Sequence, residues 1–228
     1  LVSDWSSDVC SSDLEAITTS VEHKEVYKKQ TGGRGKFADI VFELGPRADG
    51  QVGLEFISEV VGGAIPKEFI PAVQKGFTAA MANGPLGGYP LEAMRVRLIH
   101  GSFHEVDSDS LSFELAARLG FKEAAKKARP VLMEPIMAVE VTTPDEFTGA
   151  VTGNLNKRRG IMKGMATKGI AQVIKSDVPL AELFGYVTAL RTITSGRASA
   201  TLTFSHYEQV PKQLAAAIVE KVSGAPNK

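Results

Sequence analysis

From Glu15 onward the chain switches between the two-residue alternation of half-buried strands and the three-to-four-residue spacing of amphipathic helices. Ile17 to Lys29 mixes β-branched with polar residues and reads as a strand. Gln30 to Lys36, with Gly32, Gly33 and Gly35, is a glycine-rich turn, and Phe37 to Leu44 returns as the partner strand of a long hairpin. Val52 to Val60 reads as a third strand. Pro66 suits the first position of a helix, along which Phe69, Val73, Phe77 and Met81 recur every fourth residue. Gly84-Pro85 ends that helix, and Ala93 to His100 alternates again with Met94, Val96 and Leu98 on one side. A turn over Gly101 to Asp109 leads to a helix carrying Leu111, Leu115 and Leu119. Asp107 and Ser108 are its N-cap candidates, Lys126, Lys127 and Arg129 suit its C-terminal end, and Pro130 stops it.

A fresh pattern begins after Arg129 to Pro135, where we place the domain boundary. Ile136 to Val141 is a strand, and Thr143-Pro144-Asp145-Glu146 reads as a capping box. The helix that follows carries Phe147, Val151 and Leu155, has Lys157, Arg158 and Arg159 in its last turn, and closes at Gly160. Strands near Ile161 to Met165 and Ile170 to Lys175 come next. Pro179 then opens a helix with Leu180, Leu183, Val187 and Leu190, and Arg197 to Phe204 is the last strand. The order β-α-β-β-α-β is the ferredoxin-like arrangement. A final helix from Pro211, with Leu214, Ile218 and Val222 on one face, falls outside that unit and is expected to pack elsewhere, against the first domain for instance.

The chain of 228 residues accommodates two domains of about 100 residues each. With 43% hydrophobic and 23% charged residues it is globular, which excludes wholesale disorder and a disulfide scaffold. No apolar run approaches the ~20 residues of a spanning helix. One Cys excludes an internal disulfide and a multi-Cys metal site. Residues 1–14 form a different composition, with five Ser, three Asp, the only Trp and the only Cys. They lack the basic and apolar regions of a signal peptide and are read as a non-native or disordered leader. Lys+Arg and Asp+Glu are 26 each, but setting aside the leader's three Asp leaves 26 basic against 23 acidic residues, a net charge of +3.

Three segments carry candidate chemistry. Gly33-Arg34-Gly35-Lys36-Phe37-Ala38 superficially fits G-x-G-x-x-A, but a strand follows it where a dinucleotide site needs a helix. A Walker A loop fails too, because Gln30 stands at the first glycine position and Phe37 follows Lys36. What remains is Lys28, Lys29, Arg34 and Lys36 around flexible backbone, suited to phosphate contact, with Gln30 able to donate and accept toward a base or ribose. The alternative is a solubilising turn. At the second segment His104, Asp107 and Asp109 would have to serve as metal ligands, yet helix capping explains the acids and no H-E-x-x-H pair is present. The third is Lys157-Arg158-Arg159, where three cations exceed what a helix C-terminus calls for and suggest an RNA or acidic-protein contact. Other catalytic patterns are missing: no G-x-S-x-G elbow, and no His beside an obvious nucleophile. An enzyme would need a deep pocket with perturbed carboxylates or His.

These residues also carry a resemblance. Gln30 to Phe37, Gly62-Gly63-Ala64-Ile65-Pro66, Gly84-Pro85-Leu86-Gly87-Gly88-Tyr89-Pro90, Gly101-Ser102-Phe103-His104-Glu105-Val106-Asp107-Ser108, Arg158-Arg159-Gly160 and Leu183-Phe184-Gly185-Tyr186 occur in order over the chain from Glu15. Together they resemble translation elongation factor G of the bacterial type, in the last two of its five domains. The resemblance implies an α+β chain: residues 15–130 as domain IV, with a left-handed βαβ crossover (ribosomal protein S5 domain 2-like), and 131–228 as ferredoxin-like domain V with a C-terminal helix over 211–223.

The resemblance also implies a partner, the ribosome. Domain IV would enter the small-subunit decoding region and contact the tRNA–mRNA pair through two tip loops. These correspond to Lys28, Lys29, Gln30, Gly32, Gly33, Arg34, Gly35 and Lys36, and to Ser102, His104 and Asp107. Domain V would lie near the large-subunit sarcin–ricin loop and stalk base, giving Lys157, Arg158 and Arg159 an RNA partner. The expected protein is a cytoplasmic monomer without membrane contact, cofactor or metal of its own. GTP and Mg would belong to a GTPase domain that these residues do not include, so no catalysis is expected of them. A tetracycline-resistance ribosomal-protection factor or a recycling-specialised paralogue is the related alternative, and an enzyme with an unrecognised site is the alternative of another class.

Overall fold

The computed structural model describes residues 13–30, 35–48 and 50–223, and the chain divides into two compact units. One comprises Asp13–Leu132 together with the stretch from Val210, and the other is Met133–Gln209.

In the first unit β1 (Leu14–Ile17) is followed by β2 (Val21–Lys29), β3 (Lys36–Gly45), β4 (Gly53–Ser58), α1 (Ile70–Ala80), β5 (Ala93–Ser102) and α2 (Ser110–Lys127). The sheet order is β2-β3-β5-β4. β2 and β3 form the predicted hairpin, in register from Val21↔Leu44 to Lys29↔Lys36. β5 runs antiparallel to β3 and parallel to β4, so α1 is the crossover of a βαβ unit. Period-two alternation buries Ala38, Ile40, Phe42 and Leu44 from β3 and Met94, Val96 and Leu98 from β5. They pack against Val73 and Phe77 of α1 and Phe113, Ala117 and Phe121 of α2. Phe42 meets Phe77 edge-on at 4.8 Å, and each fully buried ring contributes about 1.5–3 kcal/mol.

Four expectations are corrected here. The first strand is two, β1 and β2, interrupted at Thr18–Ser20, where the Thr18 and Thr19 amides bond instead to the Ala128 carbonyl. Pro66 does not open α1. Its carbonyl accepts from the Phe69 amide in a preceding turn, and Pro71 is the proline of the first helical turn, directly after Ile70. The N-cap of α2 is Asp109, whose carboxylate accepts from the Ser112 amide at 2.6 Å, not Asp107 or Ser108. Finally, the leucines of α2 are not its core face: Leu111 and Leu119 are exposed while Ala116, Ala117, Gly120, Ala124 and Ala125 are buried. The reason is close approach. A Cβ at Gly76 of α1 would lie 2.5 Å from the Glu114 carbonyl oxygen, and one at Gly120 would lie 2.8 Å from the Phe42 ring.

β1 also organises a loop. The Glu15 carboxylate, 1% exposed, accepts from the amides of Leu86, Gly87 and Tyr89 at 2.9, 2.8 and 3.2 Å. Gly84 to Pro90 thus wraps a buried acid whose lone pairs are met by backbone donors.

In the second unit β6 (Pro130–Pro144, in this unit from Met133) precedes α3 (Thr148–Lys157), β7 (Ile161–Lys168), β8 (Ala171–Pro179), α4 (Tyr186–Ile193) and β9 (Ser199–Gln209). The strands lie in the order β7-β8-β6-β9, each neighbour antiparallel, which is the ferredoxin-like βαββαβ sheet read from the sequence. Val139, Val141, Ile174 and Val178 of the sheet pack with Val151 and Leu155 of α3 and Tyr186 and Leu190 of α4. Local details differ from expectation. Thr143 to Glu146 forms no capping box: Pro144 caps a short 3-10 turn over Asp145–Phe147 without a side-chain bond. The helix expected from Pro179 is broken into a 3-10 turn, Leu180–Leu183, and α4, because Gly185 between them has φ 70°. At the end of α3 the left-handed position is Arg159 (φ 58°), and Gly160 is needed instead for space, since a Cβ there would lie 2.6 Å from the Leu155 carbonyl oxygen.

The last helix, α5 (Lys212–Ser223), falls in the stretch that groups with the first unit. No helix among the described residues is long and apolar enough to cross a membrane.

Candidate nucleic-acid interface

β2 and β3 project as a hairpin whose last pairs are Lys28↔Phe37 and Lys29↔Lys36. Lys28, Lys29 and Gln30 are exposed and Lys36 is half-buried. Gly32, Gly33 and Arg34, assigned to the same tip, lie outside the described residues. The second predicted loop follows β5 and ends at the N-cap of α2, and the fold brings the two together.

The clamp between them is built from short polar side chains bonding to backbone, which such residues favour in turns. The Asp107 carboxylate accepts from the Gly35 amide at 2.9 Å, and the Asp107 carbonyl accepts from the Phe37 amide at 2.8 Å. The Ser108 hydroxyl donates to the Phe37 carbonyl at 2.8 Å and accepts from the His104 amide at 2.9 Å. A Cβ at Gly35 would press on the Asp107 carboxylate at 3.0 Å and push it back by a few tenths of an ångström. Nearby, Ser102 donates to Asp39 at 3.0 Å, and Lys24 pairs with the same carboxylate at 3.2 Å. Ser102 and Asp107 therefore hold the tip from within, while the lysines and Gln30 form its outer surface. Ser108 was read only as an N-cap candidate and Asp39 was not singled out, since nothing in a linear reading tells which carbonyl or carboxylate a turn serine faces.

His104 is exposed, and its Nδ1 faces the amides of Val106 and Asp107, both at 3.3 Å. The same Nδ1 lies 3.6 Å from the Asp107 carboxylate, so one edge of the ring is tied to its own loop while the ring as a whole stays open to contact. The metal reading fails on the same geometry: Asp107 holds Gly35, Asp109 caps α2, and the His104 Nδ1 is committed to backbone.

The cations at the end of α3 are used differently. Arg158 donates to Asn154 at 3.1 Å and to the carbonyls of Glu182 and Phe184, and its guanidinium lies 5.3 Å from the centre of the Tyr186 ring. Arg159 makes a two-bond pair with Glu134 at 3.0 and 2.5 Å, with Glu134 only 8% exposed. The hydrogen bond to Glu134 raises the Arg159 pKa above its ordinary value. The apparent surplus of charge in Lys157-Arg158-Arg159 is thus taken up by internal bonds, and only Lys157 is exposed.

Against known proteins, the sequence profile of Elongation factor G, domain IV matches residues 12–129, and that of Elongation factor G C-terminus matches residues 131–218. The chain is 81% identical over 94% of its length to Elongation factor G of Amoebophilus asiaticus and 70% identical over 92% to that of Cytophaga hutchinsonii. It spans about 30% of the length of each of these curated relatives. A crystal structure of a Thermus thermophilus protein superposes on 94% of the chain, with a TM-score of 0.83 at 38% identity, the match covering 32% of that protein. With the ferredoxin-like unit, the clamped hairpin and two family profiles that together span nearly the whole described chain, this protein belongs to the elongation factor G family.

Proposed function

We propose that this chain is a ribosome-binding portion of a translation elongation factor, acting by recognition and not by chemistry of its own. The tip of the first unit enters the small-subunit decoding region, follows the tRNA–mRNA pair as it moves, and blocks its return. One observation carries this reading. Two loops about 70 residues apart in sequence are fastened into a single projection by Asp107 and Ser108, with exposed lysines and the exposed His104 ring on it. A projection of this kind is preorganised for phosphate, ribose and base-edge acceptors. The second unit lies by the sarcin–ricin loop and stalk base, with Lys157 as its cation free of the internal bonds that hold Arg158 and Arg159. GTP and Mg act in a separate GTPase domain of the whole factor, in the cytoplasm.

The test is binding of the chain to purified ribosomes over a salt series, with RNA footprinting. Salt-sensitive binding with protection of the decoding region and the sarcin–ricin loop is expected. In the full-length factor, Arg34→Ala or His104→Ala should slow translocation with ribosome-stimulated GTP hydrolysis nearly intact. Unchanged translocation in both variants would remove the tip assignment.

A further inference from the structure

An open groove of about 420 Å³ lies in the first unit, away from the tip, between the end of α1 and the C-terminal half of α2. Arg118, Lys122 and Lys126 line it along α2, Ala80 and Phe121 form its floor, and Asn83 stands on its rim. We infer that this groove is a second RNA site, binding the sugar–phosphate backbone of ribosomal RNA while the tip is engaged. The inference rests on the ribosome-binding reading above.

Spacing is the first argument. The three cations stand at i, i+4 and i+8, so they share one helix face about 6 Å apart along the axis. A protein partner would present charges at irregular intervals, whereas a nucleic-acid strand presents them at every residue. Floor chemistry is the second argument. A protein–protein contact draws its energy from aromatic or aliphatic anchors in pockets. Here Phe121 is 3% exposed and already part of the core, and the alanines beside it offer no anchor but leave room for a backbone to approach.

The carboxylates around the groove do not cancel the field. Glu114 accepts from Lys75 at 2.9 Å and from Arg118 at 2.7 Å, and Glu123 accepts from Lys126 at 2.9 Å. Counting the Glu15 carboxylate buried beneath Gly84, four cations meet three acids, and the exposed lysine and arginine ends exchange readily from such surface pairs to phosphate. Position is the last argument. α2 starts at the tip, where Asp109 caps it, so Arg118 to Lys126 lie about 14–26 Å along the helix from there. The same element that ends in the clamp thus carries a second row of charge within reach of RNA surrounding the first.

Lys122→Ala/Lys126→Ala in the whole chain tests this, with purified vacant ribosomes as the probe. Alanine preserves the helix, and an unchanged thermal midpoint verifies the fold. The slope of log affinity against log salt should fall by about 2, roughly 1 for each phosphate contact removed. Lys28→Ala/Lys29→Ala serves as the tip comparator. A second readout uses Cys10→Ser/Asn83→Cys carrying a tethered iron chelate, whose hydroxyl radicals should cut ribosomal RNA near the rim. An unchanged slope in the groove variant, with a reduced slope in the tip variant, overturns the groove site and leaves the tip reading standing. Radical damage confined to ribosomal protein, with no RNA cut, overturns it in favour of an acidic protein segment. Failure of the unmodified chain to bind at low salt overturns the ribosome reading and this inference with it.

Discussion

Asp107 is an acid in a tip whose outer surface is basic, and its geometry explains why it belongs there. A carboxylate bonding to the Gly35 amide fixes one loop to the other, which no lysine could do. In Asp107→Ala that donor loses its partner. The side chain is one-third exposed, so the cost to stability is small, about 1 kcal/mol. The local effect is the measurable one: Gly35 amide exchange should accelerate about fivefold or more while exchange in the sheet core is unchanged, and Asp107→Asn should restore most of the protection. Equal exchange in wild type and Asp107→Ala would mean that the clamp is not what orders the loop. Tyr186 shows the opposite case, a polar atom with nothing to do. Its hydroxyl is buried without a hydrogen-bond partner, and burial pushes its pKa up to about 12, with Arg158 opposing. A folded-state pKa raised above 10 means that the stabilising protonated form is fully present below pH 10 and its contribution is lost as pH rises from 10 to 12. Tyr186→Phe should therefore be neutral to about 1 kcal/mol more stable at pH 7 and should lose less stability between pH 10 and 12. Denaturant unfolding at both pH values decides it, and a loss above about 1 kcal/mol at pH 7 would reveal a partner for the hydroxyl.

At the level of elements, the pairing of α1 with α2 depends on what is missing from the side chains. Gly76 faces the Glu114 carbonyl and the Ala117 methyl at distances that exclude a Cβ, and Gly120 does the same toward Phe42. Gly76→Ala should force the helices apart and cost about 1–3 kcal/mol, whereas Leu119→Ser on the exposed face should stay within about 0.5 kcal/mol. Chemical denaturation of both variants checks the pair, and a larger loss at Leu119 would reverse the assignment of faces. This is also where the sequence reading succeeded and failed for identifiable reasons. Strands β3 and β5 were legible because alternation of large apolar residues reports directly which side is buried. α2 was legible as a helix but not in its orientation, since a face of Ala, Gly and Ser carries little hydrophobic signal and the eye goes to the leucines. The starts of α1 and α2 were misplaced by a few residues because Pro71 stands close behind Pro66, and Asp109 directly behind Asp107 and Ser108, and only the backbone decides among them.

Across the whole molecule, the two-unit arrangement and the βαββαβ order could be read from the chain because each depends on long periodic segments. The convergence of the two tip loops came from the family resemblance, and the bonds that make it came from neither. Those bonds join Asp107 and Ser108 to residues about 70 positions away, a separation over which local pattern says nothing. The groove on α2 was likewise invisible, since Arg118, Lys122 and Lys126 look like an ordinary solvated face until α1 and the turn at Asn83 are set beside them.

The chain passes between its units twice, at Leu132/Met133 and at Gln209/Val210, and the two passages are neighbours. Met133 pairs with Gln209 in the ladder, and the Val210 amide bonds to the Leu132 carbonyl. Topologically the ferredoxin-like unit is a cassette spliced into the other by adjacent ends. Joining Leu132 to Val210 through a two- or three-residue turn should excise Met133–Gln209 and leave a shortened protein that still folds, detectable by retained protection of the β3 and β5 amides. For an engineer, that seam is a place to exchange one module for another at the cost of a single cut near the start of β6.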